Sequence, residues 1–346
     1  MKKRLLYLLG LLLVIGVVGI AYLYQRFIVR ASVPSGLPES AYVVLIPTGS
    51  NFEQVMDSLT AHGLVRDEPL FRQLSDRMNY RRDPMRAGRF RLQPGMRMHE
   101  MIRHLRGGKQ EPVDLVLTNE RLPENVAAKA ARFIEPDSLA LLTFFRESDY
   151  IAELGYTPET LMSLFIPNTY EFFWNTSPRG FVERMQQEHE RFWASSNRRK
   201  KAEQLGMTPA EVYTLASIVE KETLRNDEKR RMAGVYLNRL QKNMLLQADP
   251  TSVFATRDFA TKRVTNYHTE FDSPYNTYRY KGLPPGPIAM ASIASIDAVL
   301  TAENHDYLFF CAKGDGSGYH NFARTLAQHN RNAQIYRQNL KARGLR

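Results

Sequence analysis

Apolar residues crowd the start of the chain and then recur at helix or strand spacing to its end. Residues 5–24, LLYLLGLLLVIGVVGIAYLY, carry no charge over 20 positions, enough to cross ~30 Å of hydrocarbon as one helix. Met1-Lys2-Lys3-Arg4 puts positive charge ahead of that run, so the expected topology is a cytoplasmic tip over 1–4, one span over 5–24 and the remainder outside the cytoplasm. A cleaved signal peptide shares the basic start, but its apolar stretch is only ~7–15 residues long and ends at a small-residue cleavage site. No clear site of that kind follows here. Pro34, Ser35, Gly36 and Pro38 mark 25–40 as a linker.

Beyond the linker, YVVLIP (42–47) reads as a strand, and Phe52, Val55, Met56, Leu59 and Leu64 recur as one helix face stopped at Gly63. Leu70, Phe71, Leu74 and Met78 predict a second helix. RAGRFRL alternates like a strand, MRMHEMIRHLRGG makes a helix closed by Gly107 and Gly108, and VDLVL (113–117) returns as a strand. These elements predict a small α+β module over 41–118. The larger region, 119–346, is expected to be a mixed α/β domain, so the whole reads as α+β behind a single span. Its early elements are a helix in LPENVAAKAARF, an aromatic loop or strand in FIPNTYEFFW and a helix in FVERMQQEHERFWA.

The best specified helix follows. Thr208-Pro209-Ala210-Glu211 combines an N-cap, a proline at the first helical position and a glutamate three residues after the cap. With the register so fixed, Val212, Leu215, Ala216, Ile218 and Val219 form an apolar stripe. Glu220 lies at its edge, Lys221 points away, and Glu222 falls nearer its centre in the last turn. A carboxyl at the border of core and cleft is what a general acid at neutral pH requires. A solvated partner for Lys221, Arg225 or Lys229 is the ordinary alternative.

Composition narrows the class. Lys plus Arg number 47 against 36 Asp plus Glu, a net charge of +11 and a pI near 9.6. For an exported chain this points to an anionic envelope polymer or a membrane surface, not nucleic acid. Cys311 is the sole cysteine, so no internal disulfide forms. His99 and His104 stand five apart, not the four of a helical zinc motif, and no cofactor or metal is expected.

Downstream, polar and aromatic residues accumulate without periodicity. LQADPTSVF places Gln247 and Asp249 beside Pro250, and Tyr275, Asn276, Tyr278, Arg279 and Tyr280 run into Pro-Pro-Gly-Pro. Amides and carboxylates that bond hydroxyls, beside rings that cover sugar faces, suit a glycan groove. Asp249 can equally cap a helix before Pro250, and each tyrosine can simply pack. YLFFCAKGDGSGYHNF reads as a hairpin turning at GDGSG; His320 lines a cleft or is a satisfied structural histidine.

Taken together, LASIVEKET, NRLQKNMLLQADPT, SPYNTYRYKGLPPGPI and YLFFCAKGDGSGYHNFARTLAQHN, in that order behind one apolar segment, resemble the YceG-like family of endolytic murein transglycosylases. AGRFRLQPGMRMHEMIRHLRGG is similar to that family's LysM-like membrane-proximal module. The resemblance implies cleavage between N-acetylmuramic acid and N-acetylglucosamine in nascent glycan to give a 1,6-anhydro end, which terminates strand elongation. It implies Glu220 as the proton-transfer residue, and Glu222 beside it can hold or polarise that carboxyl. Asn238, Gln247, Asp249 and Asn276 match motif positions and, with Tyr275, Tyr278 and His320, are the candidate glycan contacts. It further implies a bacterial cytoplasmic-membrane location close to synthases of the penicillin-binding class. A muramidase that uses water and a noncatalytic wall-binding scaffold are the alternatives. FIPNTYEF departs from the family's usual LFPDTYEF, placing Ile166 where an aromatic is usual and Asn168 for an aspartate, so a charged role at 168 is in doubt.

Overall fold

In a computed structural model the described residues are 2–25 and 33–345, with side chains described for 7, 9–25 and 33–345. Much of the expected linker and the side chains of the expected N-terminal tip lie outside them. The elements run α1 (Lys2–Tyr24), β1 (Val43–Ile46), α2 (Phe52–Ala61), α3 (Glu68–Arg77), β2 (Gly88–Arg91), α4 (Met98–Gly107) and β3 (Val113–Leu117). Then follow α5 (Pro123–Ala130), α6 (Ser138–Glu147), α7 (Asp149–Glu153), β4 (Asn168–Phe172), α8 (Pro178–Ala194), α9 (Arg198–Gln204) and α10 (Pro209–Glu222). The chain closes with α11 (Asn226–Gln241), α12 (Asp249–Thr256), α13 (Asn266–Glu270), α14 (Ile293–Leu300), β5 (Phe309–Ala312), β6 (His320–Ala323) and α15 (Leu326–Ala342). The architecture is thus mixed α and β, dominated by helix.

Among the described residues no helix is long and apolar enough to cross a membrane. In α1 the side chains are described continuously only from Leu9 onward, and those apolar groups are exposed.

Two compact units emerge. The first holds residues 1–114 with 133–135 and 171–176; the second holds 115–132, 136–170 and 177–346. In the first, β1 and β2 pair antiparallel with Val44 opposite Phe90. Both side chains are fully buried with Phe71, Leu59 and Ile102, the apolar faces of α2, α3 and α4. Asn51 caps α2 through a reciprocal pair with Gln54, which fixes where that helix begins.

The second unit is built around α10. Thr208 and Glu211 form the reciprocal cap that the sequence predicts, but the helix is not amphipathic. Every residue from Val212 to Val219 is buried, including Tyr213, Thr214 and Ser217, because α11, α14 and the 288–292 segment enclose it. The hydroxyls are satisfied locally or clamp that segment: Ser217 donates to the Thr214 carbonyl and accepts from the Ile288 amide at 3.0 Å, and Tyr213 accepts from the Ala291 amide at 3.2 Å. The glutamates therefore stand where a wholly buried helix surfaces.

β5 and β6 form the hairpin turning at GDGSG, with Phe310 opposite Phe322. Asn168, at the start of β4, is exposed, and its carbonyl accepts only from the adjacent Thr169 amide. No charged role attaches to it.

Candidate active site

The two glutamates of α10 differ in what surrounds them. Glu220 is nearly closed off. Its Oε2 accepts from the Ser292 and Ser295 hydroxyls, both at 2.5 Å, from Lys229 Nζ at 2.9 Å and from the Ser292 amide at 3.4 Å. Ser292 is the N-cap of α14, so the carboxylate also meets the positive end of that helix. Burial alone raises a carboxyl, but here the two serines and Lys229 outweigh it and hold Glu220 below its ordinary range. It is an anion committed to joining α10, α11 and α14.

Glu222 is the opposite case. Burial pushes its carboxyl up to about 7, helped by the charge of Asp249 and opposed by the Tyr236 hydroxyl and Arg239. Tyr236, fully buried on α11, donates to Oε1 at 2.6 Å. The other oxygen, Oε2, has no hydrogen-bond partner among the described residues. The side chain is half-buried and faces a cleft.

That cleft has two lobes, of about 270 and 300 Å³, and Glu222 and Asp249 line both. The first lobe adds Arg121, Lys221, Phe254 and Phe259; the second adds Arg239, Gln247, Tyr278 and His329. The two carboxylates thus form the ridge between two hollows. Asp249 does not cap α12, since it occupies the first helical position and Ala248 takes the cap. Its Oδ1 instead accepts from the Tyr278 hydroxyl at 2.5 Å.

The other expected contacts divide. Gln247 and Tyr278 line the second lobe, Gln247 with a left-handed backbone (φ 50°) that turns the chain into α12. Tyr275 packs at a tilt against Phe254, centroids 4.7 Å apart, in a neighbouring hollow. Asn276 is completely buried and its amide donates to the carbonyls of His268, Thr269 and Phe271. Asn238 donates to the carbonyls of His305 and Tyr307. The Nδ2 donors of both asparagines are thus spent on backbone carbonyls, and neither residue lines the two lobes. His320 bonds buried Glu228 through its amide and Nδ1, and lines neither lobe.

The chemistry expected of Glu220 therefore fits Glu222. The apolar stripe already leaned toward Glu222; the motif resemblance pointed to its neighbour. Tyr236, Arg121, Ser292 and Ser295 carry no local signal for these roles, apart from the N-cap pattern at Ser292.

Comparison with known proteins agrees with the sequence motifs. Residues 44–335 match the model of the YceG-like family. An endolytic murein transglycosylase of Bacillus subtilis is 26% identical over 337 residues, covering 92% of this chain and 91% of its own. A Streptococcus pneumoniae protein of the same name is 26% identical over 343 residues, covering 90% of this chain; the match spans 61% of its length. A crystal structure of a YceG-like protein from Listeria monocytogenes superposes with a TM-score of 0.56 at 26% identity, over 84% of this chain and 97% of that one.

Proposed function

The chain belongs to the YceG-like family, and on that premise we propose that the cleft of its second unit cuts the glycan of peptidoglycan with Glu222 as the proton-transfer group. The protein is an enzyme, a lytic transglycosylase acting on peptidoglycan. The observation that supports the residue assignment is the place of Glu222: its carboxyl lines both hollows, with Oε1 held by Tyr236 and Oε2 left toward the cleft, and burial pushes it up to about 7. An acid of that strength both gives and takes a proton at the operating pH.

The sequence of steps is short. Protonated Glu222 donates through Oε2 to the glycosidic oxygen as the C1–O bond breaks, and the Asp249 carboxylate offsets the positive charge that develops on the sugar ring. The 6-hydroxyl of the same sugar then closes on C1, and the Glu222 carboxylate takes its proton. One carboxyl is restored and a 1,6-anhydro end results. Tyr236 is a positioning residue: it fixes the carboxyl by Oε1 and leaves Oε2 toward the cleft.

A second carboxylate on the ridge favours one other reading, a muramidase in which Asp249 assists water. Mass analysis of digested uncrosslinked glycan separates them, since hydrolysis leaves an end one water heavier, and Glu222→Gln should abolish either product. A noncatalytic scaffold would be unaffected by that change.

The location belongs to the same proposal. The apolar run 5–24, with its exposed side chains from Leu9 onward, supports a single anchor in the bacterial cytoplasmic membrane, which would hold the cleft where synthases release new strands. The LysM-like reading of the first unit is supported by the likeness of residues 87–108.

A further inference from the structure

The two lobes differ in free charge. In the second, Arg239 commits Nε to the Leu308 carbonyl and Nη1 to those of Leu245 and Leu246. In the first, Arg121 lies flat over the Phe259 ring at 4.3 Å and neither it nor Lys221 has a hydrogen bond or ion pair among the described residues. Nearly every other partly buried arginine of this unit is paired, as Arg198 is with Asp297. Burial depresses the basicity of both cations, and the charge of Arg121 depresses Lys221 further while that of Glu220 only partly offsets it, so an added anion would relieve the pair. Asp249 is already engaged by Tyr278, and Glu222 must be protonated when the reaction starts.

A peptidoglycan strand alternates a neutral sugar with one that bears a lactyl carboxyl, free or extended by an acidic peptide stem. Resting on the glycan-cutting reading above, we propose that Arg121 and Lys221 bind a carboxylate carried by the muramic acid, seating that sugar in the first lobe and its neutral neighbour in the second. This seating decides which of the two alternating bonds crosses the Glu222 ridge. Arg121 and Phe254 also line an adjoining hollow of about 280 Å³ that includes Arg257, a continuation long enough for a stem to follow.

The test uses the full chain carrying Glu222→Gln, which binds without cutting. Three probes are titrated: uncrosslinked strands with peptide stems, the same strands stripped by an amidase to the free lactyl carboxylate, and a neutral β-1,4-linked N-acetylglucosamine oligomer. Adding Arg121→Gln or Lys221→Gln should weaken charged strands about tenfold, the size of one charge-assisted contact, and leave the neutral oligomer within about twofold. Arg121→Lys should recover part of the loss. Weakening confined to stem-bearing strands places the carboxylate in the stem; weakening of both places it on the lactyl group. Unchanged affinity for charged strands, or equal loss for the neutral oligomer, overturns the inference. Each position is an independent arm, and every variant is used below its own unfolding midpoint. If no probe binds the parent, the glycan reading fails as well; binding that ignores both substitutions sinks the seating alone.

Discussion

Lys229 Nζ lies 2.9 Å from Glu220 Oε2, with the lysine 4% and the glutamate 23% exposed. A pair so enclosed is tolerated because the two serines complete the carboxylate's bonding; with one partner neutralised, the other is left uncompensated.

Glu220→Gln should therefore cost stability, about 3 kcal/mol, while folded protein at low temperature keeps its activity. Glu222→Gln should do the reverse, staying at least as stable as the parent at neutral pH but losing about 10³-fold in rate, as expected for loss of a general acid and base. Urea unfolding and product mass read the two effects separately. Activity surviving in Glu222→Gln but lost in Glu220→Gln would return the chemistry to Glu220.

The pH profile follows from the Glu222 value of about 7. Because the acid form starts the reaction, kcat/KM should fall as pH rises through about 7. Tyr236→Phe removes a donor that stabilises the carboxylate, so that limb should move to higher pH. Asp249→Asn removes a neighbouring negative charge, so the limb should move lower. Opposite displacements would show that another group sets the limb.

Stability should respond to the same carboxyl. Its ordinary value is near 4.5 and its folded value about 7, so between these the folded state binds more protons than the unfolded state. Its contribution is present below about 4.5 and lost as pH rises through 7. Denaturant midpoints should therefore decline across that window in the parent and decline less in Glu222→Gln.

Asn276→Ala should destabilise by about 2 kcal/mol, since it removes the donor shared by three carbonyls. KM for glycan should hardly move. A large KM effect in protein that remains folded would put the amide back in the groove.

Gly286→Ala should cost about 2 kcal/mol or more. A Cβ there would stand 1.9 Å from the Glu159 carbonyl oxygen, and backbone cannot step aside as a side chain can. The expected readout is a lower thermal midpoint, with the limb near pH 7 unmoved.

What the sequence discloses depends on distance along the chain. The Thr208–Glu211 cap is legible because all its partners lie within four residues. The stripe beginning at Val212 places Glu222 nearer its centre than Glu220, yet the helix is buried on all sides up to Val219 and both glutamates are only partly buried. What separates the two is not local: Lys229 and Ser295, which occupy Glu220, lie 9 and 75 residues away. Tyr236, which holds Glu222, belongs to the next helix. Residue type presents Asn238 and Asn276 as sugar ligands, but it does not reveal that their amide donors are already bonded to carbonyls. The buried polar side of α10 was hidden for the same reason, since Tyr213 and Ser217 find their partners only when residues 288–292 pack beside them.

Those partners make the active-site helix observable without a label. The amides of Ile288 and Ala291 are tied to hydroxyls on α10 and not to a strand or a helix of their own. Their hydrogen–deuterium exchange requires these hydrogen bonds between α10 and residues 288–292 to open. The protection of these two peptide groups thus reports how firmly residues 288–292 are held to the helix that carries Glu222.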